Sequence, residues 1–247
     1  MITAKQRLYN AYVSSGQAPS STDAVPNADS LFAGNAPYIR ANVRPLLPTR
    51  LDARIIDLGC GNGCYLHFFR QWGYTNLVGI DTSAEQVAMA HRLGITGVVQ
   101  DTINDFLTRP QPPADVVLLM DVLEHLTLDE TLTLMDQILA LLNPGGILLM
   151  HVPNAEGLFG MRIRYGDLTH EQSFTRSSMR QLLMAAGFDT QSCYEDKPVI
   201  HGLTSLIRRL IWEVGTLHYR LLLLAETGAG NAILSQNMLV VAKKKSR

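Results

Sequence analysis

The sequence predicts an α/β protein built on a doubly wound, mostly parallel sheet of seven strands. The first observation is a short apolar run at residues 54–58 that leads into glycines at alternate positions, Gly59, Gly61 and Gly63, as in a buried strand turning into a helix. The second is the alternation of strand-like and helix-like segments along residues 54–152. The third is the acid that follows the second and third strands, Asp81 and Asp101, at the edge where such sheets bind ligands.

Composition excludes several other classes of protein. The 247 residues have room for one α/β domain with an accessory element, and a formal net charge of -1 gives no overall field that recruits nucleic acid or anionic lipid. We find no secretory h-region and no uncharged apolar run of ~18 residues, so we expect neither a signal peptide nor a membrane-spanning helix. The three cysteines, Cys60, Cys64 and Cys193, fit neither a disulfide framework nor a zinc site. They predict reduced thiols, a cytoplasmic protein and no metal site.

The chain divides into four parts. Residues 1–48 contain two short helical segments, near 1–16 and 37–47, joined by a loop rich in Ser, Pro, Ala and Asp. Residues 49–195 form the core with six strands, residues 196–236 form a helical insert, and residues 237–247 hold the last strand and a basic tail. About 40 residues separate the last two strands, which is too many for a tight hairpin turn.

Each element of the core has a local cause. After the first strand we predict strands at residues 76–80, 98–99, 147–152, 189–194 and 238–242, and residues 115–126 are expected to supply the fourth strand and its exit loop. Ser83 with Gln86 and Thr127 with Glu130 predict capping boxes, and Thr175 predicts the start of a later helix. The helix after Thr127 is expected to bury these residues: Leu132, Met135, Ile138, Leu139 and Leu142. The Asn-Pro-Gly-Gly run at residues 143–146 is expected to end it.

The insert contains residues 203–225, which read as one or two helices with many large apolar side chains. Arg208, Arg209, Glu213, His218 and Arg220 interrupt the apolar surface, so the segment is too charged to span a bilayer and too apolar to stand alone in water. Three roles remain open: a cap over a substrate pocket, a contact with a second subunit in a homodimer, or a peripheral contact with a membrane surface.

The glycine turn predicts a nucleotide site, although such turns also occur for purely structural reasons. Its sequence departs from the dinucleotide pattern G-x-G-x-x-G, and Asp57 before the first glycine disfavours a pyrophosphate and favours a cationic or amine-bearing cofactor. Residues 57–63 and 115–126 closely resemble the first and fourth motifs of the class I S-adenosylmethionine-dependent methyltransferases. That resemblance implies a Rossmann-like methyltransferase fold and S-adenosyl-L-methionine as the cofactor, with S-adenosyl-L-homocysteine as its product.

The cofactor residues follow from position and from the resemblance. Asp81 lies about 20 residues past the glycine turn, where a carboxylate can accept both ribose hydroxyls. The resemblance implies that Asp101 binds the adenine amine, while the alternative is that Asp101 or Thr102 caps the next helix. The residues expected to bind the cofactor are Asp57, Gly59, Cys60, Gly61, Gly63, Asp81, Thr82, Asp101, Thr102, Met120, Asp121 and His125. In the family, N-terminal helices cover the cofactor, so Tyr9, Tyr12, Tyr38 and Arg40 are candidate lid residues, unless the aromatic rings only pack these helices down.

Residues 162–174, in the loop after the fifth strand, are the candidate catalytic segment. Methyl transfer to a hydroxyl needs a base, and His170 has two carboxylates nearby in sequence, Asp167 and Glu171. Together with residues 152–154, the segment resembles bacterial methyltransferases associated with sugars, polysaccharides and secondary metabolites. There His170 would accept the proton, oriented by Asp167 or Glu171; alternatively His170 and Glu171 only fix the loop through backbone hydrogen bonds. His125 and His151 are second choices for the base. The candidate substrate-binding residues are Arg162, Arg164, Tyr165 and Asn154.

These features predict an O-methyltransferase whose acceptor is a hydroxyl of a small molecule or glycan, with no nucleic acid among its partners. Methylation of a carboxylate or amine is the alternative within the same cofactor class. Two further alternatives are a cofactor-binding structural subunit without activity and an NAD-dependent oxidoreductase.

Overall fold

The structure, a computed structural model, describes residues 7–8 and 27–246 of the chain. Its sheet has seven strands in the order β3-β2-β1-β4-β5-β7-β6, with β7 antiparallel to both of its neighbours and the remaining pairs parallel. The predicted doubly wound sheet is therefore confirmed. Most of the predicted helix at residues 1–16, including Tyr9 and Tyr12, lies outside the described residues.

The strands match their predicted positions closely. Their bounds are β1 Ile55–Leu58, β2 Leu77–Asp81, β3 Val98–Gln100, β4 Ala114–Met120, β5 Leu142–Pro153, β6 Thr190–Glu195 and β7 Asn237–Lys243. The fifth strand differs from its prediction, because it begins directly after the preceding helix and includes the Asn-Pro-Gly-Gly run. Its register against β4 shifts between Ala114 and Val116, which accommodates the extra residues.

The helices alternate with these strands. They are α1 Ala28–Phe32, α2 Ala36–Tyr38, α3 Cys64–Gln71, α4 Ala84–Arg92, α5 Ile103–Thr108, α6 Leu128–Leu141, α7 Gly160–Arg164, α8 Arg176–Ala185 and α9 Leu203–Thr227. The predicted segment at 37–47 is helical, but it passes from α2 into a π-helical turn, Ile39–Val43, and a 3₁₀ turn, Arg44–Leu46. The insert forms one continuous helix, α9.

Side-chain caps set the starts of these helices. The capping box of Thr127 with Glu130 is confirmed, and Thr175 forms a second box with Ser178. At α4 the cap is single, because the Ser83 hydroxyl accepts the Gln86 amide at 3.3 Å. Caps of this kind place each helix start close to the carboxyl end of the preceding strand.

The core lies on both faces of the sheet. On one face, α6 and α8 cover β4 and β5, and on the other face α3 and α4 pack with the turns of residues 28–47. The buried face of α6 is rotated from its prediction: Thr131 and Leu134 are buried with Met135 and Ile138, whereas Leu132 and Leu139 are only partly buried. The buried Thr131 hydroxyl is satisfied there, since it accepts a hydrogen bond from Gln172 Nε2 at 3.1 Å. Within residues 27–246, we find no helix long and apolar enough to cross a membrane.

Candidate functional site

The three glycines of the turn after β1 share a left-handed backbone conformation but have different surroundings. All have positive φ, with values of 81° at Gly59, 53° at Gly61 and 81° at Gly63. A Cβ on Gly59 would lie 2.5 Å from Val122 Cγ2, so this glycine lets the turn pack against the loop after β4. A Cβ on Gly61 would come no closer than 3.9 Å to any described side chain or backbone atom outside the turn. Gly61 therefore borders open space, which a ligand lying against the backbone can use.

Asp57 lies under this turn with an unsatisfied carboxylate. Its side chain is buried, and neither carboxylate oxygen has a hydrogen-bond partner among the residues that the structure describes. Burial, and then the nearby charge of Asp81, raise the pKa of Asp57 to about 7. A buried carboxylate without donors fits a ligand that brings positive charge or N–H groups, which is what the cationic methionine end of S-adenosylmethionine carries.

Asp81 joins the end of β2 to the glycine turn. Its carboxylate oxygens accept the amides of Gly61 at 2.7 Å and Ser83 at 2.8 Å. Burial raises the pKa of Asp81, and these two backbone bonds partly oppose the rise. Each oxygen keeps a second lone pair, so the carboxylate can still receive the hydroxyls of a ribose. Thr82, the next residue, is exposed beside it.

The end of β3 settles which residue caps α5. The Thr102 hydroxyl accepts the Asp105 amide at 2.9 Å, so Thr102 is the cap. Asp101 instead accepts its neighbour's amide at 2.9 Å and forms an ion pair with Arg109. The Asp101 amide donates to the Asp81 carbonyl at 3.0 Å, which holds the two acids on adjacent strand ends. Adenine binding by Asp101 remains a prediction.

A cluster of four side chains joins the helical turns of residues 36–46 to the ends of β4, β5 and β6. His151 contacts Asp121 Oδ1 through Nδ1 and Asp196 Oδ2 through Nε2, both at 2.5 Å, and the Tyr38 hydroxyl donates to Asp196 Oδ1 at 3.0 Å. Burial disfavours the charged imidazole, but the two carboxylates outweigh it and raise the pKa of His151 well above its usual value. A cation held at both nitrogens is a poor proton acceptor, so this geometry disfavours His151 as the base.

Asp121 and Tyr38 carry signs of constraint in this cluster. Asp121 has a φ of 57°, and among the residues that the structure describes it is the one non-glycine residue with a positive φ. Burial and Asp196 raise the pKa of Tyr38, so its hydroxyl stays protonated and donates. Tyr38 is thus a contact between the predicted lid and the sheet, whereas Arg40 is exposed. Asp196 was not among the predicted site residues, because nothing in its sequence context separates it from an ordinary loop acid.

A second cluster brings the loop after β5 against the loop after β4. The backbone amides of Glu171 and Gln172 donate to the Glu124 carbonyl at 2.7 and 3.1 Å, and Gln172 Nε2 donates to the Leu126 carbonyl at 2.7 Å. These bonds place the ring centroids of His125 and His170 4.7 Å apart, in an edge-to-face arrangement. Two motifs that are separate in the sequence therefore form one site.

The hydrogen bonds of this cluster indicate the tautomers of both histidines. His170 Nδ1 lies 3.0 Å from the Ile163 carbonyl, an acceptor, so Nδ1 carries the proton and the lone pair lies on Nε2. The Thr169 hydroxyl donates to Asp167 Oδ1 at 2.7 Å and lies 2.9 Å from His125 Nδ1, which places a proton on that nitrogen also. The side chain of Asp167 thus orients His125 through Thr169. The Glu171 side chain is exposed, and its backbone fixes the loop.

Glu124 is the member of this cluster that sequence analysis missed. Its side chain is buried, and Oε2 has no hydrogen-bond partner within the described chain. Burial, and then the charge of Asp121, raise the pKa of Glu124 to about 8. Ligand atoms of Glu124, His125 and His170 lie within 4.8 Å of one another, a spacing at which they can hold one divalent cation. The available signal was the pair Glu124-His125 in the loop that follows a buried strand.

The predicted substrate residues divide into two groups. Arg162 and Tyr165 are exposed on and after α7, and the Arg164 guanidinium lies 5.0 Å from the Tyr165 ring centroid and donates to the Glu171 carbonyl at 2.9 Å. Asn154 is fully buried, and its amide nitrogen donates to the carbonyls of residues 233 and 235 at 2.7 and 2.8 Å. These contacts favour a structural role for Asn154.

Comparison with known proteins identifies the family of the chain. A family model described as "Methyltransferase domain" matches residues 32–192. The ubiquinone biosynthesis O-methyltransferase of Xylella fastidiosa (strain 9a5c) is 29% identical over 124 residues, which cover 44% of this chain and 49% of that protein. The trans-aconitate 2-methyltransferase of Pseudomonas paraeruginosa (strain DSM 24068 / PA7) is 34% identical over 102 residues, which cover 41% and 36%. The chain thus spans about half the length of these relatives, or less.

Solved structures share the fold. The structure of a SAM-dependent methyltransferase from Archaeoglobus fulgidus aligns with a TM-score of 0.63 at 20% identity, covering 87% of this chain and 97% of that one. The plantazolicin methyltransferase BpumL, in a structure with S-adenosylhomocysteine, aligns with a TM-score of 0.58 at 19% identity, covering 98% and 95%.

Fold and site together define a class I S-adenosylmethionine-dependent methyltransferase. The family match covers well over half of the chain, so the chain belongs to the methyltransferase-domain family, and S-adenosylmethionine is its cofactor. The orphaned Asp57 carboxylate, the open space at Gly61 and the Asp81 carboxylate fit that group. The family match sets aside the NAD-dependent oxidoreductase. The structural subunit without activity is addressed by the activity assay proposed below.

Proposed function

We propose that this enzyme transfers the methyl group to a hydroxyl oxygen of a small-molecule or glycan acceptor, with His170 as the proton acceptor. The observation that carries the proposal is the position of His170, on the loop after β5, beside Glu124 and His125, which lie on the loop after β4. Val122 of that loop packs against Gly59 of the glycine turn, which supports a position of the cluster beside the proposed cofactor site. Its position at the carboxyl edge of the sheet is where a substrate of this fold class binds.

The chemistry needs few groups from the protein. The acceptor oxygen attacks the methyl carbon, the carbon–sulfur bond breaks, and the positive sulfur becomes a neutral thioether. A neutral alcohol attacks poorly unless its proton is removed, and the lone pair on His170 Nε2 can take that proton. His125, held by Thr169 and Asp167, supports the position of the His170 ring.

The surface around the cluster favours an acceptor with both apolar and anionic parts. Four large side chains of this region are more than half exposed, namely Phe159, Met161, Tyr165 and Leu168. Arg162 and Arg164 lie among them, and guanidinium groups bind carboxylates and phosphates well. A sugar or other hydroxyl compound carrying a phosphate or a lipid fits this mixture. The cytoplasmic location expected from the reduced cysteines belongs to the same proposal.

Methylation of a carboxylate is the second candidate. The relatives include trans-aconitate methyltransferases, and the exposed guanidinium of Arg162 is a suitable partner for a carboxylate acceptor. A carboxylate is already ionised at neutral pH, so this reaction needs no base. In that case His170 would bind the acceptor without deprotonating it.

A two-part experiment separates these candidates. The purified protein is first incubated with S-adenosylmethionine and matched sets of hydroxyl, carboxylate and amine compounds, and S-adenosylhomocysteine release is measured. For the best acceptor, kcat/KM is then measured against pH for the wild type, for His170→Asn and for the exposed control His201→Asn. The proposal expects a hydroxyl acceptor and a rate that rises with pH in the wild type and control. For His170→Asn the rise with pH should disappear, and kcat should fall at least about 100-fold.

A cation at the cluster is tested in the same assay. Dialysis against a chelator, followed by addition of Mg²⁺, Mn²⁺ or Zn²⁺, measures whether the rate depends on a divalent cation held by Glu124, His125 and His170. Nε2 of His170 can either bind such a cation or accept a proton, so a cation-dependent rate would contradict the assignment of His170 as the base. A pH profile of His170→Asn that parallels the wild type, with either class of acceptor, would contradict the assignment of His170 as the base.

A further inference from the structure

Helix α9 is amphipathic, but its polar side faces its own protein and its apolar side faces outward, the reverse of an ordinary surface helix. The side that faces its own protein is mostly polar: Ser205 and Thr216 are buried there, and Arg220 pairs with Glu195 at 2.7 Å. Arg209 and Lys197 pair with Glu213 at 2.8 and 3.1 Å. The outward side is apolar and exposed. Since surface helices normally bury their apolar face, α9 requires a partner for its outward side.

The apolar side has a regular repeat. Seven residues follow one another at alternating spacings of four and three, and we call them the heptad face: Leu203, Ile207, Leu210, Val214, Leu217, Leu221 and Leu224. Their exposed fractions lie between 46% and 76%. This spacing is the a/d pattern of coiled coils, and it continues without interruption along the helix.

The residue types within the repeat indicate two strands. Leucine occupies all four d positions, and the three a positions hold Ile207, Val214 and Leu221. Leu at d with β-branched Ile or Val at a is the combination that favours two helices in parallel coiled coils. We propose that the heptad face of α9 packs against the heptad face of a second copy, so that the enzyme is a homodimer joined by a two-stranded coiled coil.

The dimensions fit such a dimer. From Leu203 to Leu224 a helix extends ~30 Å, which is long enough for three heptads. Stable dimers bury about 800 Å² per partner, and seven large side chains that are about half exposed or more supply an area of this order. The two faces are identical by symmetry, so each copy provides the other with matching length and chemistry.

A membrane surface fits the helix less well. Interfacial helices on anionic lipid use unpaired Lys and Arg beside the apolar face. In α9 the guanidinium groups of Arg209 and Arg220 are neutralised by Glu213 and Glu195, so Arg208 is the one arginine of this helix that is exposed without an ion pair among the described residues. The whole chain has a formal net charge of -1, which gives no attraction to anionic lipid either.

The test compares two substitutions of the same chemistry on the full-length protein. Leu217→Glu lies on the heptad face, and Leu222→Glu lies on the same helix outside it; the two leucines are 55% and 65% exposed. Light scattering after gel filtration, over a range of protein concentrations, measures the mass of each. Because both leucines are exposed in the single chain, both variants should fold, which circular dichroism and S-adenosylhomocysteine binding will verify.

The proposal expects the wild type and Leu222→Glu to have twice the 27.3 kDa mass of one chain. Leu217→Glu should raise the dimer dissociation constant at least about 100-fold, because it places a charge in an apolar interface. A wild type that stays monomeric at tens of micromolar, or equal weakening by the two substitutions, would overturn it. So would a monomer that floats with phosphatidylglycerol vesicles, since that result identifies a lipid surface as the occupant.

Discussion

Replacing Asp57 by Asn should change how the stability of the ligand-free enzyme depends on pH. The Asp57 carboxylate is buried, lacks hydrogen-bond donors within the described chain and has its pKa raised to about 7, mainly by burial. Because the folded state holds the proton more tightly than the unfolded state, this group contributes stability below about pH 4 that is lost as the pH rises through about 7. Asparagine cannot ionise, so this part of the pH dependence should disappear.

The size of the effect follows from the two pKa values. A carboxyl with an ordinary pKa of 3.8 and a folded-state pKa of about 7 loses up to about 4 kcal/mol of stability between pH 4 and pH 8, at about 1.4 kcal/mol per pH unit. The unpaired amide of asparagine adds a cost that does not vary with pH. The informative quantity is therefore the change with pH in the difference between variant and wild type.

The assay is urea unfolding at four pH values between 5 and 8, with extrapolation to zero denaturant. Asp57→Asn should gain stability relative to the wild type as the pH rises, whereas the exposed control Asp136→Asn on α6 should not. Saturating S-adenosylmethionine should flatten the wild-type curve, because its positive groups lower the pKa of Asp57. Parallel curves for Asp57→Asn and the wild type would refute the idea of an uncompensated acid under the glycine turn.

Three further changes test other parts of the site. Gly59→Ala should destabilise the fold by about 2–4 kcal/mol, since its Cβ meets Val122 at 2.5 Å. Gly61→Ala should cost about 1 kcal/mol of stability and mainly weaken cofactor binding, so thermal unfolding and binding calorimetry distinguish the two. His151→Asn should cost more stability at pH 6 than at pH 9, because the raised pKa of His151 contributes stability that is complete below about 6.5 and is lost as the pH rises through the folded-state pKa. An equal loss at both pH values would contradict the bridge to Asp121 and Asp196. Thr169→Val should lower kcat about 10-fold without changing cofactor affinity, because the valine breaks the link from Asp167 to His125, and Thr169→Ser should restore the rate. A change in cofactor affinity alone would count against that role.

Local sequence determined the fold and the residues that we expect at the cofactor end of the site. The apolar run before Gly59 predicted a buried strand, and the spacing from that turn to Asp81 placed a carboxylate at the next strand end. Such features depend on residues close together in the chain, where periodicity, glycine conformation and helix caps act directly. The same reasoning was less exact for α6, whose buried face includes Thr131, because the partner of that polar side chain is Gln172, which is distant in the sequence.

The proposed catalytic end of the site depends on contacts between distant parts of the chain. The sequence identified His170 and His125 separately, but it could not show that the amides of residues 171 and 172 bond to the Glu124 carbonyl and bring the two rings together. Nor could it show that Asp167 reaches His125 through Thr169, or that Asp196 and Asp121 hold His151 from both sides.

The heptad repeat of α9 was present in the sequence from the start, yet periodicity alone does not say which side of a helix faces its own core. An apolar repeat normally packs inward, and only the folded chain shows that this one faces outward while the polar side forms the ion pairs. The sequence thus determined the elements, their order and the cofactor turn, because these follow from local chemistry. The tertiary structure decided the neighbours of each ionisable group, because burial and pairing are set by residues far apart in the chain.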